Sequence, residues 1–297
     1  MRGWNAVAAI VALAVTVIAC GGSDLATESA TPDALRIASF DFVESEILAE
    51  VYAQAAEGIG VPVVRLGAIG PREVVVPAVR NDQIDLVPEY LGSALGFAGA
   101  VEPPDDPDDA AAELRERVAE FEIEVLTPSS AVDVNVFVVT TAAAGDHGLA
   151  AVSDLAAASL PRLGGPAECP ERPFCLAGLT DVYGLRFEEF VAEPSLAYTA
   201  EALRRGEIDV GVMFSTSPEL DAIDLVALVD DRGLQPPEFV VPIVRRAALE
   251  RWGSQLGEEL DRVSARLSTA DLRRLNGRVA DGIGVAEVAS EWLTTLG

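Results

Sequence analysis

Residues 78–86, AVRNDQIDL, and residues 202–210, ALRRGEIDV, are the two stretches that decide the fold. Each reads as the end of a helix, a tight turn and a strand that opens with Ile-Asp and an aliphatic residue. Followed forward, the predicted strands arrive at an aromatic residue in each copy, Tyr90 and Phe214. The repeat predicts that the chain contains the same α/β construction twice.

The segments around the first copy alternate between short β-branched runs and helical stretches. Strands are predicted at 35–38, 61–66 and 84–87, and helices at 44–59 and 72–80. A Pro- and Asp-rich loop follows at 102–109, where Asp108 or Asp109 is expected to cap a helix that continues to about Phe121. This alternation is typical of parallel βαβ units.

A second set of α/β elements is predicted later in the chain. Its strands are expected at 135–140, 209–214 and 225–229, and its helices at 153–157, 180–190 and 199–205. Apolar periodicity predicts three further helices at 247–267, 269–279 and 285–296. Because 297 residues exceed what one ordinary core needs, two α/β lobes are expected.

The two aromatic residues of the repeat fall near the carboxyl ends of parallel strands, the edge where open α/β sheets bind ligands. Tyr90 and Phe214 are therefore expected to close on a ligand from the two sides of a cleft. The alternative is that each ring is an ordinary core aromatic, and the periodicity alone does not separate these two hypotheses.

The N-terminal residues have the pattern of an export signal. Residues 1–19 place Arg2 before an apolar run that is too short to span a bilayer, which is typical of a signal peptide. The run ends at Cys20 in a sequence that resembles a bacterial lipobox, so Cys20 is predicted to be lipidated and residues 20–33 to form a flexible tether. An ordinary cleavage site beside an incidental cysteine is the alternative.

Cys169 and Cys175 are the two remaining cysteines. In an exported protein, an even count and close spacing favour a disulfide between them. A metal site is the alternative, but His147 is the single histidine of the chain and stands in a loop-like Gly-Asp-His-Gly segment without other ligands. No metal or cofactor is expected.

The charge of the chain narrows the class of partner. The formal net charge is −27, from 48 acidic residues against 21 basic ones, all of them arginine. This balance argues against nucleic acid, which needs a basic surface. An acidic cleft would attract cationic solutes weakly, and the alternative is that a genome-wide acidic, lysine-poor bias explains most of the charge.

Several blocks resemble the glycine betaine/choline/carnitine class of ABC-transporter substrate-binding proteins, the ProX- and OpuAC-like osmoprotectant binders. The resemblance covers the chain after the tether, and the blocks that carry it lie at 38–48, 72–78, 84–95, 183–185, 206–211 and 230–237. The family implies a type II periplasmic-binding-protein fold, in which two α/β lobes with a ligand cleft are joined by two crossover segments. Lobe one is then expected at 34–132 plus 239–297 and lobe two at 133–238. The implied partners are the permease and ATPase subunits of an importer.

The family holds quaternary ammonium groups over aromatic faces, because such a cation donates no hydrogen bond. Tyr90 matches one of the family's ligand tyrosines, whereas Asn135 stands where a tyrosine is common, Ser45 stands in place of a frequent glutamine, and the segment 169–176 is remodelled. A complete set of cage tyrosines is therefore not expected. The expected ligand-binding residues are Asp41, Tyr90, Asp133, Asn135, Phe214, Ser215 and Thr216.

An enzyme is the competing class of function. The lone histidine is poorly placed for a serine triad, and the chain has no Gly-x-Ser-x-Gly, Walker or Gly-x-Gly-x-x-Gly motif. The sequence therefore predicts an extracytoplasmic, lipid-anchored binding protein that serves an importer and is not an enzyme. A surface sensor of the same fold that delivers no cargo, and a binding protein for a different polar solute, remain alternatives.

Overall fold

The part of the chain that the structure describes forms ten β-strands in two sheets of five. The computed structural model describes residues 33–101, 103–236 and 238–297. The predicted signal peptide, the predicted lipidation site at Cys20 and the tether up to residue 32 lie outside the described residues.

The strands and helices alternate along the chain. The strands are β1 (Leu35–Ser39), β2 (Val63–Ala68), β3 (Leu86–Tyr90), β4 (Ile123–Val125), β5 (Asn135–Thr140), β6 (Arg162–Gly165), β7 (Glu189–Ala192), β8 (Val210–Phe214), β9 (Leu225–Ala227) and β10 (Val240–Arg245). The α-helices are α1 (Val43–Gly58), α2 (Arg72–Arg80), α3 (Leu91–Phe97), α4 (Pro107–Val118), α5 (Thr141–His147), α6 (Leu176–Tyr183), α7 (Leu196–Arg205), α8 (Arg246–Trp252), α9 (Ser254–Ser264), α10 (Thr269–Ala280) and α11 (Val285–Thr294). Short 3₁₀-helices lie at Ala119–Phe121, Val152–Ala157, Cys169–Glu171 and Pro218–Asp221.

The two sheets have the same topology. The first has the strand order β2-β1-β3-β10-β4 and the second has the order β7-β6-β8-β5-β9. Three strands in each sheet run parallel, and the fourth position is taken by a strand that is antiparallel to both of its neighbours. That strand is β10 in the first sheet and β5 in the second. The predicted parallel units are therefore present, but each sheet is mixed.

The Ile-Asp repeat forms the same ion pair in both sheets. In the first sheet, the main-chain N–H and Nε of Arg36 donate to Asp85 Oδ2 at 2.8 and 2.9 Å, and Nη2 donates to Oδ1 at 2.7 Å. In the second, the same three groups of Arg162 donate to Asp209 at 2.9, 3.0 and 2.7 Å. Each aspartate therefore ties the start of its own strand to the neighbouring strand.

The turn before each strand has the same backbone conformation. It passes through the left-handed region at Asp82, with φ 59°, and at Gly206, with φ 65°. The carbonyl oxygen of each of these residues accepts a hydrogen bond from Nη1 of the arginine described above. Glycine adopts this conformation without strain, and aspartate is among the few other residues that tolerate it.

Two extended segments connect the sheets and lie side by side. One joins β4 to β5 and the other joins β9 to β10. Val132 and Phe239 form an antiparallel bridge between them, and the Asp133 N–H donates to the Glu238 carbonyl at 3.1 Å. Motion between the sheets therefore has to pass through this pair of segments.

The C-terminal helices return to the first sheet, where α9, α10 and α11 pack around α1. Their shared core includes Val51, Tyr52, Leu260 and Trp292, and the Tyr52 hydroxyl lies 2.9 Å from Ser264 Oγ. Helix α10 also contacts the 3₁₀-helix Pro218–Asp221, which follows the central strand of the second sheet.

Several predicted elements differ from the structure. The helix predicted at 180–190 is wrong after Tyr183, because α6 ends there, Gly184 follows with φ 69°, and strand β7 begins at Glu189. The cap of α4 is Asp106, whose carboxylate accepts from the N–H groups of Asp108 and Asp109. The helix predicted at 247–267 is broken at Gly253, with φ 75°. Strands β4, β6, β7 and β10 are absent from the predicted elements; β4, β6 and β7 have only three or four residues each, whereas β10 has six buried residues.

Cys169 and Cys175 form a disulfide with a Cα–Cα distance of 5.3 Å. Both residues are buried in the apolar cluster of the second sheet. The bond therefore closes a short loop against that core. Of the helices that the structure describes, none has the length and apolar character needed to cross a membrane.

Candidate functional site

Two adjoining cavities open beside the crossover segments. The ring cavity, of ≈ 370 Å³, is lined by Phe40, Asp41, Phe42, Pro71, Arg72, Glu73, Tyr90, Ser93, Asp133 and Glu238. The inter-sheet cavity, of ≈ 590 Å³, is lined by Phe42, Val43, Glu44, Asp133, Ser195, Leu196, Ala197, Phe214, Thr216, Ser217, Pro218, Glu219, Asn276, Val279 and Ala280. Phe42 and Asp133 line both. Their volumes lie in the range of small-molecule sites.

Strand ends supply the central residues of both cavities. Phe40 and Asp41 follow the end of β1, Tyr90 ends β3, and Phe214 ends β8. These are the carboxyl ends of the parallel strands, where the chain leaves each sheet to begin a helix. The inter-sheet cavity thus receives residues from the edges of both sheets.

Aromatic rings form one wall of the ring cavity. The Phe42 ring stacks with that of Phe40 at a centroid distance of 6.1 Å and lies 6.0 Å from that of Tyr90. Phe42 is 41% exposed, so part of its ring faces open space. The exposed part of the Phe42 ring can offer a negative π-face to a cation.

A buried carboxylate accepts a hydrogen bond from the Tyr90 hydroxyl. Glu44 is 6% exposed, and its Oε1 accepts from the Tyr90 hydroxyl at 2.8 Å. Its Oε2 accepts from Asn276 Nδ2 on helix α10 at 2.7 Å. Both partners are neutral donors, so the negative charge of Glu44 is hydrogen-bonded but not neutralised. Burial raises the pKa of the Tyr90 hydroxyl well above its usual range, and the charge of Glu44 raises it further.

Asp133 is the second carboxylate at the meeting point of the cavities. It lies on the first crossover segment, and its Oδ1 accepts from the Thr216 hydroxyl at 3.0 Å. Burial is the main cause that raises its pKa to about 8, and the nearby charge of Glu44 adds to the effect. Asp133 therefore lies in a setting that favours its neutral form until a positive charge enters.

The single basic residue among the lining residues of the ring cavity is already paired. Arg72 Nε and Nη2 donate to Glu89 Oε1 and Oε2 at 2.7 and 2.8 Å, and its guanidinium lies 5.0 Å from the centre of the Phe40 ring. Glu238 accepts from the Ser93 hydroxyl at 2.7 Å, and burial raises the pKa of Glu238.

The structure brings together most, but not all, of the residues that the sequence analysis named. Asp41, Tyr90 and Asp133 line the ring cavity, and Asp133, Phe214 and Thr216 line the inter-sheet cavity. Tyr90 and Phe214 thus line different cavities. The aromatic ring that packs near Tyr90 is that of Phe42.

Asn135 and Ser215 do not line either cavity. The Asn135 amide donates to the Phe174 carbonyl and to Gln235 Oε1 at 3.2 and 3.3 Å. The Ser215 hydroxyl donates to the Val132 carbonyl at 2.7 Å and accepts from the Val134 N–H at 3.1 Å. These contacts join neighbouring backbone segments and leave the cavities to other side chains.

Sequence reasoning missed three residues of the site: Phe42, Glu44 and Asn276. Phe42 and Glu44 lie inside the block 38–48 that supported the family resemblance, so their position was a usable signal. Asn276 is 232 residues from Glu44 in the chain, and no local pattern connects them.

Comparisons with known proteins agree on one family. A family model described as the substrate binding domain of the ABC-type glycine betaine transport system matches residues 33–295. The glycine betaine-binding protein YehZ of Escherichia coli (strain K12) is 25% identical over 293 residues, which cover 92% of this chain and 93% of that protein.

Solved structures show the same fold. Apo YehZ from Escherichia coli superposes with a TM-score of 0.76 at 24% identity, over 89% of this chain and 99% of its own. A glycine betaine/carnitine/choline ABC transporter protein superposes with a TM-score of 0.79 at 24% identity, over 88% and 98% of the two chains. The expected type II periplasmic-binding-protein fold is therefore confirmed.

Proposed function

The chain belongs to the family of substrate-binding domains of ABC-type glycine betaine transport systems, and from that premise we propose that it captures a small quaternary amine such as glycine betaine, choline or carnitine. Members of the family are extracytoplasmic solute-binding proteins of ABC transporters and not enzymes. The partners implied by the family are the permease and ATPase subunits of an importer.

The observation that carries this proposal is the pairing of rings with buried carboxylates in one cleft. Phe42 presents aromatic surface next to the largely buried ring of Tyr90, while Glu44 and Asp133 lie beside them. A quaternary ammonium donates no hydrogen bond, so aromatic faces bind it at about 0.5–2 kcal/mol each. The carboxylates add attraction without requiring a donor on the ligand.

The proposed ligand contacts follow from the lining of the cavities. We assign them to Asp41, Tyr90, Asp133, Phe214 and Thr216, and add Phe42 and Glu44. For Asn135 and Ser215, the hydrogen bonds described above favour a structural role beside the crossover segments.

The two sheets are proposed as the cores of two lobes. Lobe one comprises 34–132 plus 239–297 and lobe two comprises 133–238, because the crossover pair at Val132 and Phe239 lies at these boundaries. The ligand then binds between lobes that are joined by two segments.

A melting-temperature panel tests the ligand class. A ligand that binds only the folded state raises the melting temperature, so quaternary amines should give shifts that sugars and amino acids do not. A response to sugars alone would overturn the quaternary-amine assignment and leave the family unaffected.

The Tyr90→Ala variant tests the site. It removes the ring and the hydroxyl that holds Glu44, so the shift given by the best ligand should disappear. Tyr198→Ala is the control, because Tyr198 is 58% exposed on α7. A full shift in Tyr90→Ala would contradict the assignment of this cleft.

We also propose that Cys20 carries the lipid that anchors the protein to the outer face of the cell membrane. The support is the lipobox-like sequence that ends at Cys20. Cys20→Ala should move the protein from the membrane fraction to the soluble fraction. Equal retention in the membrane fraction would contradict the anchor.

A further inference from the structure

We propose that the cleft selects a quaternary amine with net positive charge and no carboxylate, of the choline type, over zwitterions of the glycine betaine type, and that Glu44 is the residue that sets this preference. The inference rests on the proposed function and narrows it. It depends on which charges of the site are already neutralised by the protein.

Acidic residues outnumber basic ones among the lining residues of the two cavities. Asp41, Glu73, Asp133 and Glu238 line the ring cavity together with one base, Arg72. The lining residues of the inter-sheet cavity include three acids, Glu44, Asp133 and Glu219, and no arginine or histidine. A ligand in the cleft therefore meets more acidic than basic side chains.

The positive charge of Arg72 is already paired within the protein. Its Nε and Nη2 are both used by Glu89, and its guanidinium face lies on the Phe40 ring. Because Glu89 is almost fully buried, with a side-chain exposure of 2%, releasing Arg72 would leave a buried carboxylate without its partner. The lining residues of the two cavities thus offer an anionic end no unpaired basic side chain, although Nη1 of Arg72 keeps donors that Glu89 does not use.

Glu44 is the best-placed counter-charge for a cation. Its two oxygens are held by Tyr90 and Asn276, which fix its position without supplying positive charge. A bound ammonium would supply the charge that these partners lack. A carboxylate placed in the same cleft would be repelled by Glu44.

Helix N-termini are the other positive features: α1 and α7 begin at the inter-sheet cavity, and α2 begins at the ring cavity. Val43 lines the inter-sheet cavity, and no side chain caps the first N–H groups of α1. A helix N-terminus is equivalent to about half a positive charge, whereas Glu44 in the same first turn carries a full negative one. At the start of α1 the balance of charge is therefore unfavourable for an anionic end.

Choline and glycine betaine provide a matched pair of probes. They share the trimethylammonium head and differ at the other end, which is a hydroxymethyl group in choline and a carboxylate in glycine betaine. Calorimetric titration of the purified protein should show choline binding roughly tenfold or more tighter than glycine betaine.

Glu44→Gln tests the proposed determinant. It keeps the shape of the side chain and removes the charge, so the preference for choline should fall by roughly tenfold or more. The matched control is Glu46→Gln, which removes an equal charge from the same helical turn but lines neither cavity. Glu44→Asp, which keeps the charge, should keep the order of the two affinities even if both weaken.

Each outcome bears on a different claim. Glycine betaine binding as tightly as choline to the wild-type protein would overturn this inference and leave the proposed function intact. An equal loss of affinity for both probes in Glu44→Gln would show that Glu44 does not discriminate. Failure of every quaternary amine to bind would overturn the proposed function and this inference together. The wild-type ratio of affinities also keeps the test valid if a variant fails to fold.

Discussion

The Tyr90 hydroxyl links the aromatic wall to the buried carboxylate of Glu44 over 2.8 Å. Tyr90→Phe removes this donor and keeps the ring, so Glu44 loses one of its two hydrogen bonds while it stays buried. A buried acceptor left without its donor costs about 1–3 kcal/mol. Urea unfolding should therefore show a lower free energy of unfolding for Tyr90→Phe. The exposed Tyr198→Phe is the control, and equal effects of the two substitutions would contradict the structural role of the bond.

Asp133 makes the stability of the protein depend on pH. Its pKa is about 8 in the folded protein, and a free aspartate has a pKa of about 3.9. Between these values the folded protein holds a proton that the unfolded chain has released, so rising pH favours unfolding. The contribution of Asp133 is complete below the lower value and is lost as the pH rises through the folded-state pKa. The loss amounts to at most about 1.4 kcal/mol per pH unit.

Asp133→Asn tests this dependence, because an amide does not titrate. Free energies of unfolding measured from about pH 5 to about pH 9 should fall less steeply with pH in the variant than in the wild type. Some slope should remain, because burial also raises the pKa of Glu238 in the same cavity. Parallel curves for the two proteins would contradict the role of Asp133.

At the scale of elements, the twin Arg–Asp pairs stabilise the central strands of the two sheets. Asp85→Asn and Asp209→Asn each weaken three hydrogen bonds, one of them to a main-chain N–H, at partly buried sites. Each should lower the free energy of unfolding by about 1–3 kcal/mol. The surface pair of Arg204 with Asp224 is the comparison, because the Asp224 side chain is 50% exposed and Asp224→Asn should lower the free energy of unfolding by less than either of these substitutions. Similar losses from the buried and the exposed pairs would contradict this ranking.

At the scale of the whole molecule, the two crossover segments are the expected hinge. Proteins of this architecture close around their ligands. Small-angle scattering with saturating ligand should therefore give a smaller radius of gyration than without ligand. The scattering is measured in salt of physiological strength, which screens the repulsion between protein molecules that each carry a net charge of −27. Tyr90→Ala is the control, since a variant that binds no ligand should show no change. An unchanged radius with every ligand that binds would contradict closure.

Much of this architecture can be predicted from the sequence, because local patterns encode it. The Ile-Asp repeat identified two equivalent α/β units, and in both of them the structure places that aspartate in the same ion pair. The alternation of apolar runs and helical stretches located α1, α2, β5 and β8 to within a few residues. Tyr90 and Phe214 were placed at strand ends by counting forward from the repeat.

Tertiary structure alone decided how distant segments combine. Strand β10 belongs to the first sheet although all five strands of the second sheet precede it in the sequence. Asn276 bonds to Glu44, which is 232 residues away in the chain. The sequence gives no sign of such contacts, since periodicity describes which face of an element is buried and not which element covers it. The same reason explains Asp133, because its raised pKa comes from burial beside Glu44 and not from its sequence neighbours.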